Sequence, residues 1–199
     1  ICTDHNILLI FDEVITGFGR LGDSFASNRF KVFPDLITMA KGITNATVPM
    51  GAVGATSEIY NAIYRKNKDT IELFHGYTYS GHPLACAAGI ATLEVYEEEK
   101  LFKRAKNLEK YFGDRVHSLS RLNMVQDIRN IGLVAGVEIA ERTKEPRTLG
   151  RDIFEECFEN GLMVRFTGNT IALSPPLIVS KDQIDIIFEK LEKAIKKVF

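Results

Sequence analysis

A short apolar run that ends in two carboxylates, residues 8–14 (Leu-Leu-Ile-Phe-Asp-Glu-Val), constrains the fold more than any other stretch of the sequence. An unbroken apolar run of this length is typical of a strand that is buried on both faces of a parallel α/β sheet. Burying each such side chain contributes roughly 1.5–3 kcal/mol, so we expect the strand to lie in a core. Asp12 then falls at the carboxyl end of the strand, where open α/β sheets bind ligands.

A second apolar run, residues 35–40, leads into Lys41 and Gly42. Residues 51–55 are small and apolar, which predicts a third strand. The two longer runs are expected to be neighbours in one sheet, so that Asp12 and Lys41 come to the same sheet edge. A charged group at such a position costs free energy unless an opposite charge meets it.

Pyridoxal phosphate is a cofactor whose chemistry needs this pair of side chains. It needs an amine that holds its aldehyde as a Schiff base, and an acid that keeps its pyridine nitrogen protonated. Lysine suits the first role because its amine can lose its charge when it is partly desolvated. Aspartate suits the second role because a carboxylate and a pyridinium form a charge-assisted hydrogen bond. The pair therefore predicts a site for this cofactor.

Four short segments extend the pattern along the chain: residues 12–20 (Asp-Glu-Val-Ile-Thr-Gly-Phe-Gly-Arg), 34–36 (Pro-Asp-Leu), 40–42 (Ala-Lys-Gly) and 78–83 (Thr-Tyr-Ser-Gly-His-Pro). In order and spacing they resemble the class III aminotransferases, of the fold-type I pyridoxal-phosphate enzymes. The resemblance implies that Lys41 carries the cofactor, that Asp12 pairs with the pyridine nitrogen and that Val14 packs against the ring. It also implies that Thr78 binds the phosphate of the cofactor in the partner subunit of a homodimer with shared active sites.

One position and two segments indicate a branch of that family. Many members have Gln where this chain has Ile15, and that Gln hydrogen-bonds the ring hydroxyl, so an ornithine- or γ-aminobutyrate-type enzyme is disfavoured. Residues 75–83 and 129–138 look most like β-alanine (ω-amino acid):pyruvate aminotransferases. By this resemblance Arg165 recognises the substrate carboxylate, for which its planar guanidinium is suited. The alternative is an exposed strand arginine. The implied reaction moves an amino group from an ω-amino acid or amine to pyruvate or a similar keto acid.

The expected fold class is α/β, with a mostly parallel sheet and helices. The resemblance assigns residues 1–98 to the C-terminal part of the cofactor-binding large domain, 99–122 to a connecting helix and 123–199 to a smaller α+β C-terminal domain. Family members are considerably longer, so the chain is expected to be the C-terminal half of such an enzyme. Helical spacing of apolar residues predicts one long helix through residues 97–122. Strands are expected at residues 125–131 and 133–139, with Gly132 between them, and a hairpin is expected around residues 168–169. Ser180 is expected to cap a helix that ends at Val198.

Three other interpretations compete. Residues 8–13 match a Walker B strand, in which Asp12 would serve an ATPase, but the chain contains no Gly-x-x-x-x-Gly-Lys-Ser/Thr loop. Residues 17–22 spell G-x-G-x-x-G, yet the next strand leads to a lysine and not an acid, so we interpret these glycines as turn residues beside the cofactor. The third alternative is a non-catalytic remnant or assembly partner with an exposed sheet edge. Glu13 is expected to be structural.

Composition excludes several classes of function. The chain has 199 residues, 45% hydrophobic and 26% charged, with a net charge of −1, which implies no general attraction to nucleic acid or anionic membranes. No apolar run approaches the ~18 residues that cross a bilayer. Cys2, Cys86 and Cys157 are few, odd in number and widely spaced, which favours reduced thiols in a cytoplasm over disulfides or a metal site.

Overall fold

A computed structural model describes residues 1–64, 73–140 and 149–198, and the chain forms two compact units. The first unit consists of Ile1–Gly19 and Asp23–Lys100. The second consists of Arg20–Gly22 and the residues from Leu101 onward. The assignment of domains to residues 1–98, 99–122 and 123–199 remains a prediction. In the ranges described, no helix is both long and apolar enough to cross a membrane.

The first unit contains a three-stranded sheet in the order β1-β2-β3. Its described α-helices lie between β1 and β2 and after β3. Its elements are β1 (Ile10–Asp12), α1 (Ala26–Phe30), β2 (Leu36–Met39), β3 (Ala52–Ala55), α2 (Ser57–Tyr64) and α3 (Pro83–Glu98). Short 3-10 turns lie at Thr3–His5 and Lys41–Thr44. Pro83 occupies the first turn of α3, as expected for a residue that has no N–H to donate there. The predicted third strand is confirmed.

Strands β1 and β2 are parallel, and Asp12 lies opposite Thr38 in the register. Asp35 fixes this register at the start of the strands, because its Oδ2 accepts a hydrogen bond of 2.7 Å from the Leu9 N–H. The Asp35 N–H donates in return to the Leu9 carbonyl at 2.8 Å. Strand β3 runs antiparallel to β2, so the expectation of a mostly parallel sheet is wrong for the described residues. The chain reverses through the 3-10 turn after β2 instead of passing through a crossover helix.

The prediction that β1 is buried on both faces is wrong for this chain. Only three residues of the apolar run pair as a strand, and Leu8 and Ile10 are 59% and 58% exposed. Strand β1 lies at the edge of its sheet, where β2 pairs with it on one side. The described residues therefore leave much of this apolar surface uncovered.

The helix expected through residues 97–122 is shorter at both ends, because residues 97–98 belong to α3 and Ser118–Arg121 form a 3-10 turn. Helix α3 ends at Glu98, Lys100 has a left-handed φ of +53°, and α4 spans Leu101–His117. Three consecutive glutamates, residues 97–99, oppose the helix dipole at the end of α3, which favours a break there. Apolar spacing could not indicate this break, because α4 carries its own buried stripe: Leu101, Ala105, Leu108, Phe112 and Val116.

The second unit contains an antiparallel sheet in the order β4-β5-β7-β6 and the helices α4, α5 and α6. Its further elements are β4 (Val125–Ile131), β5 (Val134–Ile139), α5 (Leu149–Glu159), β6 (Arg165–Thr167), β7 (Thr170–Leu173) and α6 (Lys181–Val198). The predicted strands on either side of Gly132 and the predicted hairpin around residues 168–169 are confirmed. Gly132 and Gly168 take the positive φ of +56° that their turns require. The sequence predicts a charged loop at residues 141–147, and this segment lies outside the described residues.

A capping box begins α6, as Ser180 predicted. The Ser180 hydroxyl accepts a hydrogen bond of 3.1 Å from the Gln183 N–H, and the Gln183 side chain accepts one of 2.9 Å from the Ser180 N–H. The helix then packs Ile184, Phe188 and Leu191 into a core shared with α4, α5 and the sheet.

Cys157 lies fully buried in this core, and burial raises the pKa of its thiol from 9.0 to about 11. A shift of that size reduces the thiolate fraction at pH 8 by about a hundredfold, and the thiolate is the reactive form. We expect a thiol-specific reagent at pH 8 to modify Cys2 and Cys86, which are partly exposed, while Cys157 reacts only in denaturant. Peptide mapping after timed labelling measures this, and rapid modification of Cys157 in the folded chain would contradict it.

Candidate cofactor site

The carboxyl ends of β1 and β2 bring the predicted acid and the predicted amine to one edge of the sheet. Asp12 is the last residue of β1, and Lys41 follows the end of β2 by two residues. Because the strands are parallel, these ends lie at the same sheet edge. The two apolar runs predicted this placement correctly.

The Asp12 carboxylate is held through one of its two oxygens. Its Oδ1 accepts hydrogen bonds from the Val14 N–H at 3.1 Å and from the Thr38 hydroxyl at 3.3 Å. No donor among residues 1–64, 73–140 and 149–198 contacts Oδ2, and the side chain is exposed. An ionised carboxylate accepts at both oxygens, so Asp12 offers an oriented acceptor to a ligand N–H.

Lys41 combines a strained backbone with an amine that no described residue contacts. Its φ is +45°, in the left-handed region, which costs a side-chain-bearing residue about 1–2 kcal/mol. Strain of this kind is concentrated at functional sites and persists where the surroundings enforce it. The Lys41 carbonyl accepts a hydrogen bond of 2.8 Å from the Ala46 N–H, while its amine has no hydrogen bond or ion pair within the described part of the chain. The amine is therefore available to a ligand.

Two aromatic residues that the sequence did not single out contact the residue after Lys41. The Tyr96 hydroxyl, from the last turn of α3, donates a hydrogen bond of 2.8 Å to the Gly42 carbonyl. A Cβ on Gly42 would lie 2.7 Å from the Cβ of Phe18, so only glycine permits this packing. Tyr96 lies on the buried face of α3 together with Ala85 and Gly89. The spacing of these two small residues is the one local sequence feature that indicates the burial of Tyr96.

Glu13, the residue after Asp12, is buried behind the same sheet edge and is structural, as expected. It is 1% exposed and accepts hydrogen bonds of 2.8 Å from the N–H groups of Ala26 and Ser27, and one of 2.6 Å from the Thr16 hydroxyl. A buried carboxylate at the start of α1 satisfies helix N–H groups that have no partner within the helix. Glu13 thus fastens the loop after β1 to α1.

The glycines of the G-x-G-x-x-G segment are turn residues. Gly19 and Gly22 have φ values of +93° and +83°, and no helix opens on Gly22, since α1 begins at Ala26. A dinucleotide-binding loop requires a helix at that point. The geometry therefore disfavours the dinucleotide interpretation.

A pocket of about 700 Å³ in the first unit is lined by the segment after Lys41 and by the motif before α3. Residues 48–51 and 79–82, with Ala85, form its walls. Thr78, the predicted phosphate ligand, is exposed and directly precedes this lining. The described residues hold no group of three or more His, Cys, Asp or Glu side chains that could bind a metal.

The remaining predicted site residues stay predictions. Val14 is half-buried just beyond β1, where its N–H contacts Asp12, and Ile15 is 50% exposed. Arg165 begins β6 in the second unit, with an exposed side chain that has no hydrogen bond or ion pair in the described ranges. The roles of Val14, Thr78 and Arg165 come from the resemblance alone.

The comparisons with known proteins decide the family. A family profile described as aminotransferase class-III matches residues 1–195. The chain belongs to the class-III aminotransferases. Among curated relatives of this class-III chain is a protein named "Omega-aminotransferase" from Caulobacter vibrioides, 57% identical over 198 residues that cover all of this chain and 45% of that protein. A "Beta-alanine--pyruvate aminotransferase" from Pseudomonas aeruginosa is 40% identical over all of this chain and 45% of its own length.

Solved structures of transaminases superpose closely on this chain. A structure described as "Transaminase with L-ala" superposes with a TM-score of 0.93 at 33% identity, covering 99% of this chain and 48% of that one. The described residues are accordingly of mixed α/β structure. The chain spans less than half the length of the curated relatives named above.

The chemistry of the donor set fits pyridoxal phosphate. Asp12 presents a carboxylate oxygen without a described partner, and Lys41 presents an amine without one, both from the same sheet edge. A ring nitrogen that needs an acidic partner and an aldehyde that needs an amine match these two groups. Nothing among the described contacts of Asp12 or Lys41 competes for either role.

Proposed function

We propose that the chain is part of a pyridoxal-phosphate-dependent ω-aminotransferase, which moves an amino group from an ω-amino acid or amine to pyruvate or a similar keto acid. The observation that carries the proposal is the parallel pairing of β1 and β2, which brings Asp12 and Lys41 to one sheet edge. The names of the two curated relatives support the class of donor and acceptor.

Each residue at the edge has a defined task in this proposal. Pyridoxal phosphate, when bound, supplies an aldehyde that captures amines and a ring that accepts electrons. Asp12 would accept the ring N–H at Oδ2, which no described residue contacts, and would keep that proton in place, while Thr38 and Val14 hold its Oδ1. Lys41 would hold the cofactor through its aldehyde, and its Nζ, once the donor amine has displaced it, would take up and return a proton.

The other assignments extend the same proposal to residues away from this edge. Val14 packs against the ring, Thr78 binds the phosphate of the partner subunit's cofactor, and Arg165 binds the substrate carboxylate through a bidentate pair. The exposed position of Thr78 and the exposed guanidinium of Arg165, which no described residue hydrogen-bonds, support these roles. The proposal includes a homodimer with shared sites, which sedimentation of the chain would test, and a cytoplasmic location, which three free cysteines support.

Selective capture of the cofactor by Lys41 is the test. We expect borohydride treatment of the 199-residue chain with pyridoxal phosphate to fix the cofactor mainly on Lys41, as read by peptide mass mapping. Lys41→Ala should remove the visible absorbance band of the lysine-bound cofactor, and it should remove the borohydride-fixed label. Lys31→Ala is the matched control, because Lys31 is also an exposed lysine with a left-handed φ, +54°.

Labelling that is spread evenly over surface lysines and unchanged in Lys41→Ala would contradict the proposal and favour a non-catalytic remnant.

A panel of amino donors, scored by the alanine formed from pyruvate, then tests the substrate class. No alanine from any ω-amino acid, with alanine from other donors, would contradict the ω-type assignment.

A further inference from the structure

The turn that carries Lys41 contains an unusual density of strained residues. Within six positions Lys41, Asn45 and Ala46 have φ values of +45°, +50° and +57°. None of them is glycine, and residues with side chains persist in this conformation only where their surroundings enforce it. Contacts from outside the turn must therefore hold it.

Two side chains distant in sequence make such contacts, and we call Phe18 and Tyr96 the Gly42 brace. Tyr96 lies 54 positions along the chain and donates its hydroxyl to the Gly42 carbonyl at 2.8 Å. Phe18 packs on the Gly42 backbone so closely that a Cβ would meet its ring carbons at 3.0 Å. Both residues are 8% exposed, and their rings stack with centroids 6.3 Å apart. The brace therefore fixes the peptide group adjacent to Lys41.

The position of the Lys41 amine depends strongly on that peptide group. The Lys41 amine lies at the end of a flexible four-carbon side chain, and no described residue hydrogen-bonds it. Among the described residues, the Lys41 backbone therefore determines where this side chain starts. The Gly42 carbonyl that accepts the Tyr96 hydroxyl also accepts the Asn45 N–H at 3.2 Å, which closes the strained turn. Loss of the Tyr96 hydroxyl would therefore make both the turn and the Lys41 backbone more mobile.

We propose that Tyr96 and Phe18 are positioning residues for Lys41, which hold its amine where it captures the cofactor aldehyde. This inference rests on the proposed function. Neither residue is assigned contact with the cofactor. Their effect passes through Gly42, and misplacement of a reacting group by about 1 Å can lower a rate by about 10²-fold.

Tyr96→Phe is the principal test variant, because it removes one oxygen and leaves the ring packing. Tyr111→Phe in the second unit is the matched control, since it removes a hydroxyl that donates to Asp185 at 2.7 Å. The readout is the rate of borohydride-fixed pyridoxal phosphate on Lys41, divided by the rate on Lys31 of the same molecules. A general loss of structure would alter both lysines, whereas loss of positioning alters Lys41 alone.

We expect Tyr96→Phe to lower this labelling ratio roughly tenfold and Tyr111→Phe to leave it unchanged. Without cofactor, Tyr96→Phe should also speed hydrogen exchange at the N–H groups of Ile43, Asn45 and Ala46, which close the turn. Phe18→Leu, which reduces the ring contact but keeps an apolar side chain, should lower the ratio in the same direction. Circular dichroism confirms that each variant is folded.

The outcomes separate the two proposals. If the parent chain shows no preference for Lys41, the proposed function fails and the inference falls with it. If the parent labels Lys41 selectively but Tyr96→Phe keeps both the ratio and the exchange rates, the function stands and the positioning role is wrong. Faster exchange with an unchanged ratio would likewise overturn it, by showing that the brace stabilises the turn without placing the amine.

Discussion

Gly132→Ala is expected to lower the free energy of unfolding of the second unit by about 3–5 kcal/mol. A Cβ at this position would lie 2.5 Å from the Arg20 carbonyl and 2.6 Å from the Leu21 Cα, and both obstacles are backbone atoms that cannot rotate away. Moving these backbone atoms away from the new methyl group would break two hydrogen bonds. The Leu133 N–H donates to the Arg20 carbonyl at 3.0 Å, and the Arg20 guanidinium donates to the Leu133 carbonyl at 3.1 Å. The left-handed φ of +56° adds its own cost.

Gly168→Ala separates the steric effect from the backbone strain. Gly168 has the same φ, +56°, but nothing lies within 4 Å of its Cβ position, so only the strain, about 1 kcal/mol, is expected. Urea unfolding followed by circular dichroism compares the two variants, since the chain has no Trp to report by fluorescence. Equal losses of stability in both variants would show that residues 20–22 do not press on the Gly132 turn.

Glu13→Gln is expected to destabilise the first unit by about 3 kcal/mol. Three donors converge on the two Glu13 oxygens, and the two backbone donors are buried. Glutamine keeps the volume but offers one acceptor oxygen and an NH₂ group, which then faces a buried N–H. Leaving such a donor unpaired costs about 1–3 kcal/mol, and the remaining bonds lose the strength that the negative charge gives them.

Glu94→Gln on α3 is the control, because Glu94 is exposed and such surface changes stay within about 0.5 kcal/mol. Peptide-resolved hydrogen exchange assigns the loss to the Ala26 and Ser27 amides, which should exchange faster in Glu13→Gln alone. A Glu13→Gln chain as stable as the control would contradict the assignment of Glu13 as the buried anchor of this loop.

The sequence predicted the features that short-range chemistry determines. The two apolar runs indicated β1 and β2, Gly168 and Asn169 indicated a hairpin turn, and Ser180 indicated a helix start, because each signal lies within a few residues of its effect. The positions of Asp12 and Lys41 followed from the runs themselves. Their chemical roles were predicted from the match of an acid and an amine to one cofactor.

The features that distant residues determine could not be predicted. The burial of β1 depends on what covers the sheet, and the direction of β3 depends on how the turn after Lys41 packs. The break between α3 and α4 comes just before the apolar stripe of α4, so the spacing of that stripe gave no sign of it. Tyr96 lies far along the chain from Gly42, so no local pattern joins them.

The excursion of residues 20–22 into the second unit has a consequence for protein engineering. A chimaera that exchanges the segment from Leu101 onward between two relatives would place a foreign loop against the Gly132 turn, where main-chain atoms interlock without room for a methyl group. Recombination of such enzymes should therefore transfer both segments as one cassette, although about eighty residues of the first unit separate them in the gene.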